Sequence, residues 1–228
     1  MTERELRVVG LVDLHWSGRP PLRLPDLTGV DLVLLGGDLT NFRGIDTART
    51  VVDALRDCGP SVLAVCGNTD LPEVETWLRD EGIDLDSRAR VVDGVAFAGV
   101  SAGLPFGGTP YERSEEQFAA AAECALLAAS AGVEATVATG AGAHRPVVLV
   151  SHQPPRDTHC DLTRGRHVGS TAIRDAILRH QPDLVLCGHI HESAGSDLVG
   201  RSRIVNPGPW FQGGVLRFSV IDGTIVVA

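Results

Sequence analysis

The 228-residue chain contains no lysine; all twenty of its basic residues are arginine. That absence excludes a Schiff-base lysine and the lysine of a phosphate-binding P-loop. Positive charge is also scarce overall. The formal net charge is −9, so the chain offers no broad basic track, and nucleic acid is not an expected partner. Cysteine is sparse, odd in number and unpatterned, at positions 58, 66, 124, 160 and 187 with no C-x-x-C. A disulfide framework is not expected, and a reducing, cytoplasmic compartment is. No apolar run approaches the ~18 residues of a membrane span. The opening MTERELRVVG lacks the apolar stretch and cleavage site of a secretory leader.

What is present is a series of short apolar runs. Leu6–Val12, Asp31–Leu35, Ser61–Cys66, Val95–Val100, Val147–Ser151 and Asp183–Cys187 read as strands. Asp46–Cys58 has helical spacing at Val51, Val52 and Leu55, with Asp46 as its cap and Gly59-Pro60 as its stop. Glu112–Ser130 is Ala-rich and helix-prone, and Gly132–Arg145 reads as a small-residue loop. Ser170 caps a helix over Thr171–His180. Strands rich in Val, Ile and Leu with helices between them indicate βαβ units and parallel sheet. Asn206-Pro207-Gly208 and Asp222-Gly223 mark turns among three short strands at the end of the chain, an antiparallel finish. One domain is expected over 1–228, with a helical and loop excursion at about 101–146.

Five of the runs end in chemistry. Asp13-Leu14-His15 follows the first, Asp38 the second, Asn68-Thr69-Asp70 the third, His152 a later one, and His189-Ile190-His191 the last. Parallel strands deliver their carboxyl ends to one edge, where ligands bind. Two Asp, one Asn and four His make a mixed oxygen and nitrogen set. Such a set suits Mn, Fe, Zn, Co or Ni better than Ca or Mg. Seven donors exceed the four that one zinc takes and suit a pair of ions.

This order of D-x-H, G-D, G-N-x-D, a lone His and G-H-x-H, over residues 13–191, resembles the calcineurin-like metallophosphoesterases. The stretch 151–170 is similar to their compact bacterial and archaeal members. The resemblance implies a four-layer α/β/β/α sandwich with two divalent or trivalent transition metal ions at its rim. By resemblance, Asp13, His15 and His191 hold one ion, Asn68, His152 and His189 the other, and Asp38 bridges them. Glycines 36, 37, 67 and 188 are expected where backbone passes close to the cluster. The implied activity is phosphoester hydrolysis by a hydroxide bridging the metals, on a small-molecule substrate. The alternatives are a phosphomonoesterase, or a non-catalytic metal-binding scaffold or regulator of the same fold.

One position departs from the family pattern. Thr69 stands where most members carry histidine, and a threonine is no general acid near neutrality. That tilts the expected substrate toward a phosphodiester with a good leaving group. Asp70 is expected to orient a neighbour. His159 and His167 are candidates to replace the missing imidazole. Arg156, Arg164, Arg166 and the Ser170 helix end are candidates to hold the substrate phosphate. Trp16 is expected to pack in the core or line the substrate mouth, and His144 and His180 are expected to play no part.

Overall fold

The structure, a computed structural model, describes residues 5–19, 21–137 and 145–228, with backbone alone over 132–137. Two sheets form its centre. In the first, β1 (Glu5–Leu11), β2 (Leu32–Gly36) and β3 (Ser61–Val65) run parallel. β12 (Leu216–Ile221) and β13 (Thr224–Val227) add antiparallel to the β1 edge. In the second, β5 (Val95–Val100), β6 (Val147–Ser151), β9 (Leu184–Cys187) and β11 (Ser202–Asn206) run parallel. β4 (Arg88–Val92) and β10 (Gly195–Val199) close it as antiparallel edges. A short hairpin, β7 (Leu162–Thr163) with β8 (Arg166–His167), stands apart.

Period-two alternation builds the layers. Leu32 and Leu34 of β2, Val148 and Val150 of β6, and Leu184 and Leu186 of β9 meet between the sheets, together with Phe97 and Phe218. Their neighbours Val33 and Leu35 face the other way, onto α1 (Ile45–Arg56) and α2 (Pro72–Asp80). Leu149, Val185 and Cys187 face α3 (Glu115–Val137) and α4 (Thr171–His180). Because side chains alternate across a strand, each run is apolar throughout and covered on both faces. The result is the α/β/β/α sandwich that the resemblance implies.

Several boundaries differ from the sequence reading. Gly44, not Asp46, is the N-cap of α1, and Asp46 lies in its first turn, where a carboxylate still favours the helix dipole. α3 begins after Ser114, which with Gln117 forms a reciprocal cap at 3.3 and 2.8 Å. It runs to Val137, so helix replaces the first part of the loop expected over 132–145; residues 138–144, His144 included, lie outside those described. Glu112, expected in the helix, instead ties a loop by accepting from the N–H groups of Phe106, Gly108 and Thr109. The chain end holds four strands, not three. β4 lies where the apolar pattern was too short to announce it, and α2, missed from sequence, has Pro72 at its start and Val74, Trp77 and Leu78 at helical spacing. No described helix is long and apolar enough to cross a membrane.

Candidate metal centre

The carboxyl ends of β1, β2, β3, β6 and β9 face one rim, and the seven predicted side chains are carried there. Asp13 and His15 follow β1, Asp38 follows β2, Asn68 follows β3, His152 follows β6, and His189 and His191 follow β9. Asp13, His15, Asp38 and His189 all adopt positive φ, between 47° and 69°. Such backbone is uncommon outside glycine, and it clusters at sites whose surroundings over-determine it. The turns are braced across strands: the His15 N–H donates to the Asp38 carbonyl at 2.8 Å, and the Asp13 N–H to the Gly37 carbonyl at 3.1 Å.

Glycine is required where these turns touch. Gly37 has φ +96°, and a Cβ there would lie 2.4 Å from His152 Nδ1. A Cβ on Gly67 would lie 2.1 Å from Asp38 Oδ1. Any side chain at either position would displace a cluster residue.

On one side of the cluster, His15 Nε2 lies 3.1 Å from His191 Nε2 and 3.5 Å from Asp38 Oδ2. His191 Nε2 is 3.7 Å from Asp13 Oδ1. On the other, His152 Nε2 lies 3.1 Å from Asn68 Oδ1 and 3.5 Å from Asp38 Oδ2. Asp38 Oδ2 thus belongs to both halves, while Asp38 Oδ1 accepts the Thr69 N–H at 2.8 Å. The His189 ring stands edge-on to His152 with centroids 5.1 Å apart, and its backbone N–H donates to both oxygens of Asp13. Asp13, His152 and Asp38 are buried, whereas His15 and His191 keep 18% and 34% of their side chains open. The cluster therefore opens to solvent on the His15–His191 side.

The chemistry of the donors fits cations. His152 Nδ1 is 3.0 Å from the Gly36 carbonyl, so its N–H is spent there and Nε2 is left as a lone pair. That lone pair faces an amide oxygen and a carboxylate oxygen with no donor between them. Metal–ligand bonds of ~2.0–2.2 Å place neighbouring donor atoms about 3.0–3.4 Å apart, close to the spacings here. Two groups of potential ligands, Asp13–His15–His191 and Asp13–Asp38–His152, converge within 4.8 Å. With no cation, a proton must relieve the crowding. Burial alone would lower His152, but the charge of Asp38 and its hydrogen bond, the charge of Asp13 and the Gly36 carbonyl together outweigh it and push the imidazole up to about 9. Burial followed by the charge on His152 lowers His189 to about 4, which keeps its imidazole neutral. Burial also lowers His15, while Asp13 raises His191.

Supporting residues complete the rim. The buried Asp70 accepts from the N–H groups of Leu39, Thr40 and Gly67 and from the Thr40 hydroxyl, at 2.8–3.1 Å. It joins the turn carrying Asp38 to the turn carrying Asn68. Burial, then the nearby Asp38 charge, pushes it up to about 6. The Thr69 hydroxyl donates to the Thr40 carbonyl at 2.8 Å and lies 3.5 Å from His15 Nδ1, where it can accept the ring N–H. Asn206 braces the last turn, with Nδ2 donating to the Ile190 carbonyl at 3.0 Å and Oδ1 accepting the Gly208 N–H.

The remaining candidates stand elsewhere. The α4 N-terminus is filled from within the chain. Glu115 accepts from the Ser170 hydroxyl and the N–H groups of Thr171 and Ala172, so Ser170 and this helix end leave no donors for a phosphate. His167 Nδ1 lies 2.7 Å from Asp161, whose carboxylate also gathers the N–H groups of Asp157, Thr158 and Gly169. His159 is exposed, with its backbone N–H on Asp197. Arg156 is exposed and faces Asp157 at 3.8 Å. Arg164 and Arg166 are exposed on the β7–β8 hairpin, which is tied to the turn after His191 by Thr163–Glu192 and Ser193–Leu162 hydrogen bonds. Phe211 was missed from sequence: its ring packs 6.0 Å from His15 and 5.5 Å from His191. The adjacent aromatics Trp210-Phe211 after Pro207-Gly208-Pro209 form no periodic pattern.

Residues 6–217 match the family model for the calcineurin-like phosphoesterase superfamily domain. The chain belongs to that superfamily, whose members are generally hydrolases with dimetal centres. It is 31% identical over 215 residues to an uncharacterized protein of Methanocaldococcus jannaschii, covering 90% of this chain and 88% of that one. The fold is shared with the TT1561 protein of Thermus thermophilus, at TM-score 0.61 and 17% identity over 99% of each chain. It is also shared with a dimetal phosphatase from Danio rerio, at TM-score 0.57 and 13% identity over 97% of this chain and 98% of that one.

Proposed function

We propose that this chain is a phosphohydrolase working with two transition metal ions, and that phosphodiesters with good leaving groups are its preferred substrates. Asp13, His15 and His191 would hold one ion, Asn68, His152 and His189 the second, and Asp38 both. The observation that carries this is the Asp38 carboxylate, with one oxygen 3.5 Å from both His15 Nε2 and His152 Nε2. When bound, the ions supply a water acidified toward neutrality and a clamp for phosphate oxygens. The chain's own part is positioning. Gly36 and Thr69 fix the ring faces of His152 and His15, and Asp70 holds two of the turns in register. Manganese, iron or zinc suit these donors best, with nickel or cobalt further options.

The diester preference rests on Thr69. Its hydroxyl proton is committed to the Thr40 carbonyl, and it has no acid to offer a poor leaving group. The odd, unpaired cysteines support a cytoplasmic setting, and the net charge of −9 supports a small-molecule substrate over nucleic acid. The test is hydrolysis of bis-p-nitrophenyl phosphate by the Mn²⁺-loaded protein, beside p-nitrophenyl phosphate. Turnover with the diester favoured supports the proposal. Bound metal without turnover would assign the fold to regulation, and neither metal nor turnover to a scaffold.

A further inference from the structure

A cavity of about 750 Å³ opens directly beside His15, in the range of small-molecule pockets. His15 is one wall, so the cavity is continuous with the metal centre. The other walls are largely apolar, from Leu14, Trp16, Leu22, Leu24, Trp210 and Phe211. Trp210 is held in place by an N–H bond from Nε1 to the Arg23 carbonyl at 2.8 Å. Phe211 is 56% exposed at the junction, with its ring against both His15 and His191. The ring thus stands between the open side of the cluster and the cavity. Arg19 and Arg23 also line the cavity, and neither pairs with a carboxylate among the described residues.

We propose that this cavity is the specificity pocket of the enzyme, and that it takes a flat, aryl- or nucleobase-sized substituent of the phosphoester. The inference rests on the phosphohydrolase reading and adds the class of substrate. A phosphate held at the cluster has its open side toward His15 and His191, so its substituent leaves past Phe211 into the cavity. Three aromatic walls suit a planar ring, which gains from edge and stacking contacts beyond its buried area. The two arginines suit an electron-rich ring or a second anionic group on it. Sugar phosphates and inorganic pyrophosphate would leave the apolar walls unfilled.

The test is direct binding, with no turnover required. Phenylphosphonate and methylphosphonate are titrated into the Mn²⁺-loaded protein by calorimetry, and quenching of Trp16 and Trp210 emission is followed in parallel. Phenylphosphonate is expected to bind at least about tenfold tighter, the scale of removing an aryl ring from water, and it alone should quench. Phe211→Ala should collapse the affinity ratio toward one, and Leu22→Asn, on another wall, should lower it at least about threefold. Equal affinities in the native protein, or a ratio untouched by both variants, would overturn the pocket while leaving the metal centre standing. Failure of both phosphonates to bind would overturn the metal reading and the pocket with it.

Discussion

His152 Nε2 and Asn68 Oδ1 lie 3.1 Å apart with no proton that belongs between them. The Gly36 carbonyl takes the His152 N–H on the far side of the ring, and Asp38 Oδ2 stands 3.5 Å from the same Nε2. Three acceptors aimed at one point ask for a positive charge, and either a proton or a metal ion can supply it.

Metal and proton should therefore compete. In the metal-free protein His152 is raised above its ordinary value of 6.5 to about 9. Its protonated form contributes stability that is fully present below about 6.5 and is lost as pH rises through about 9. The metal-loaded protein does not depend on that proton. The rise in melting temperature on adding Mn²⁺ should thus grow between pH 6.5 and 9, with proton release on binding seen in buffers of different ionisation enthalpy. A rise that is flat across this window would contradict the arrangement.

Asp38→Asn should be the most damaging change at the site, since its carboxylate faces both halves. Activity on bis-p-nitrophenyl phosphate should drop more than about 100-fold, beyond the ~10–100-fold typical of residues that only orient a ligand. Thr69→Ala, which leaves the His15 ring with one orienting contact fewer, should fall within that lower range. Equal losses would upset the ranking.

Thr69→His should change selectivity more than rate. An imidazole restores an acid beside the cluster, so esters with poor alkyl leaving groups should gain relative to aryl diesters. The measurement is the ratio of kcat/KM for the two substrate types; uniform loss would mean that the site tolerates no ring there.

Glu115→Ala should separate fold from site. The change strips acceptors from Ser170, Thr171 and Ala172 at the start of α4, and should cost about 1–2 kcal/mol, the scale of a lost helix cap. Denaturant unfolding reads the loss. Affinity for inorganic phosphate should be unchanged, whereas a fall would return the α4 end to the substrate site.

The rim was legible because parallel strands leave their carboxyl ends on one side, so Asp13, Asp38, Asn68, His152 and the 189–191 pair could be read as one set from order alone. Apolar runs gave the strands, and the same runs hid the division into two sheets, since a strand covered on both faces shows no alternation. The supporting contacts were not legible. Glu115 and Ser170 are 55 residues apart, and nothing local tells that one fills the other's helix end. Phe211 was missed for a similar reason: it matters through what it packs against, not through a repeat in its own stretch. The α2 segment did carry a signal, with Pro72 at its start and Val74, Trp77 and Leu78 at helical spacing.

The most direct measurement is a titration of metal-stripped protein with Mn²⁺, counting equivalents bound per chain. Two equivalents are expected, falling below two in Asp38→Asn. Saturation at one ion or none, or an Asp38→Asn protein that still takes two with unchanged affinity, would contradict the two-ion centre.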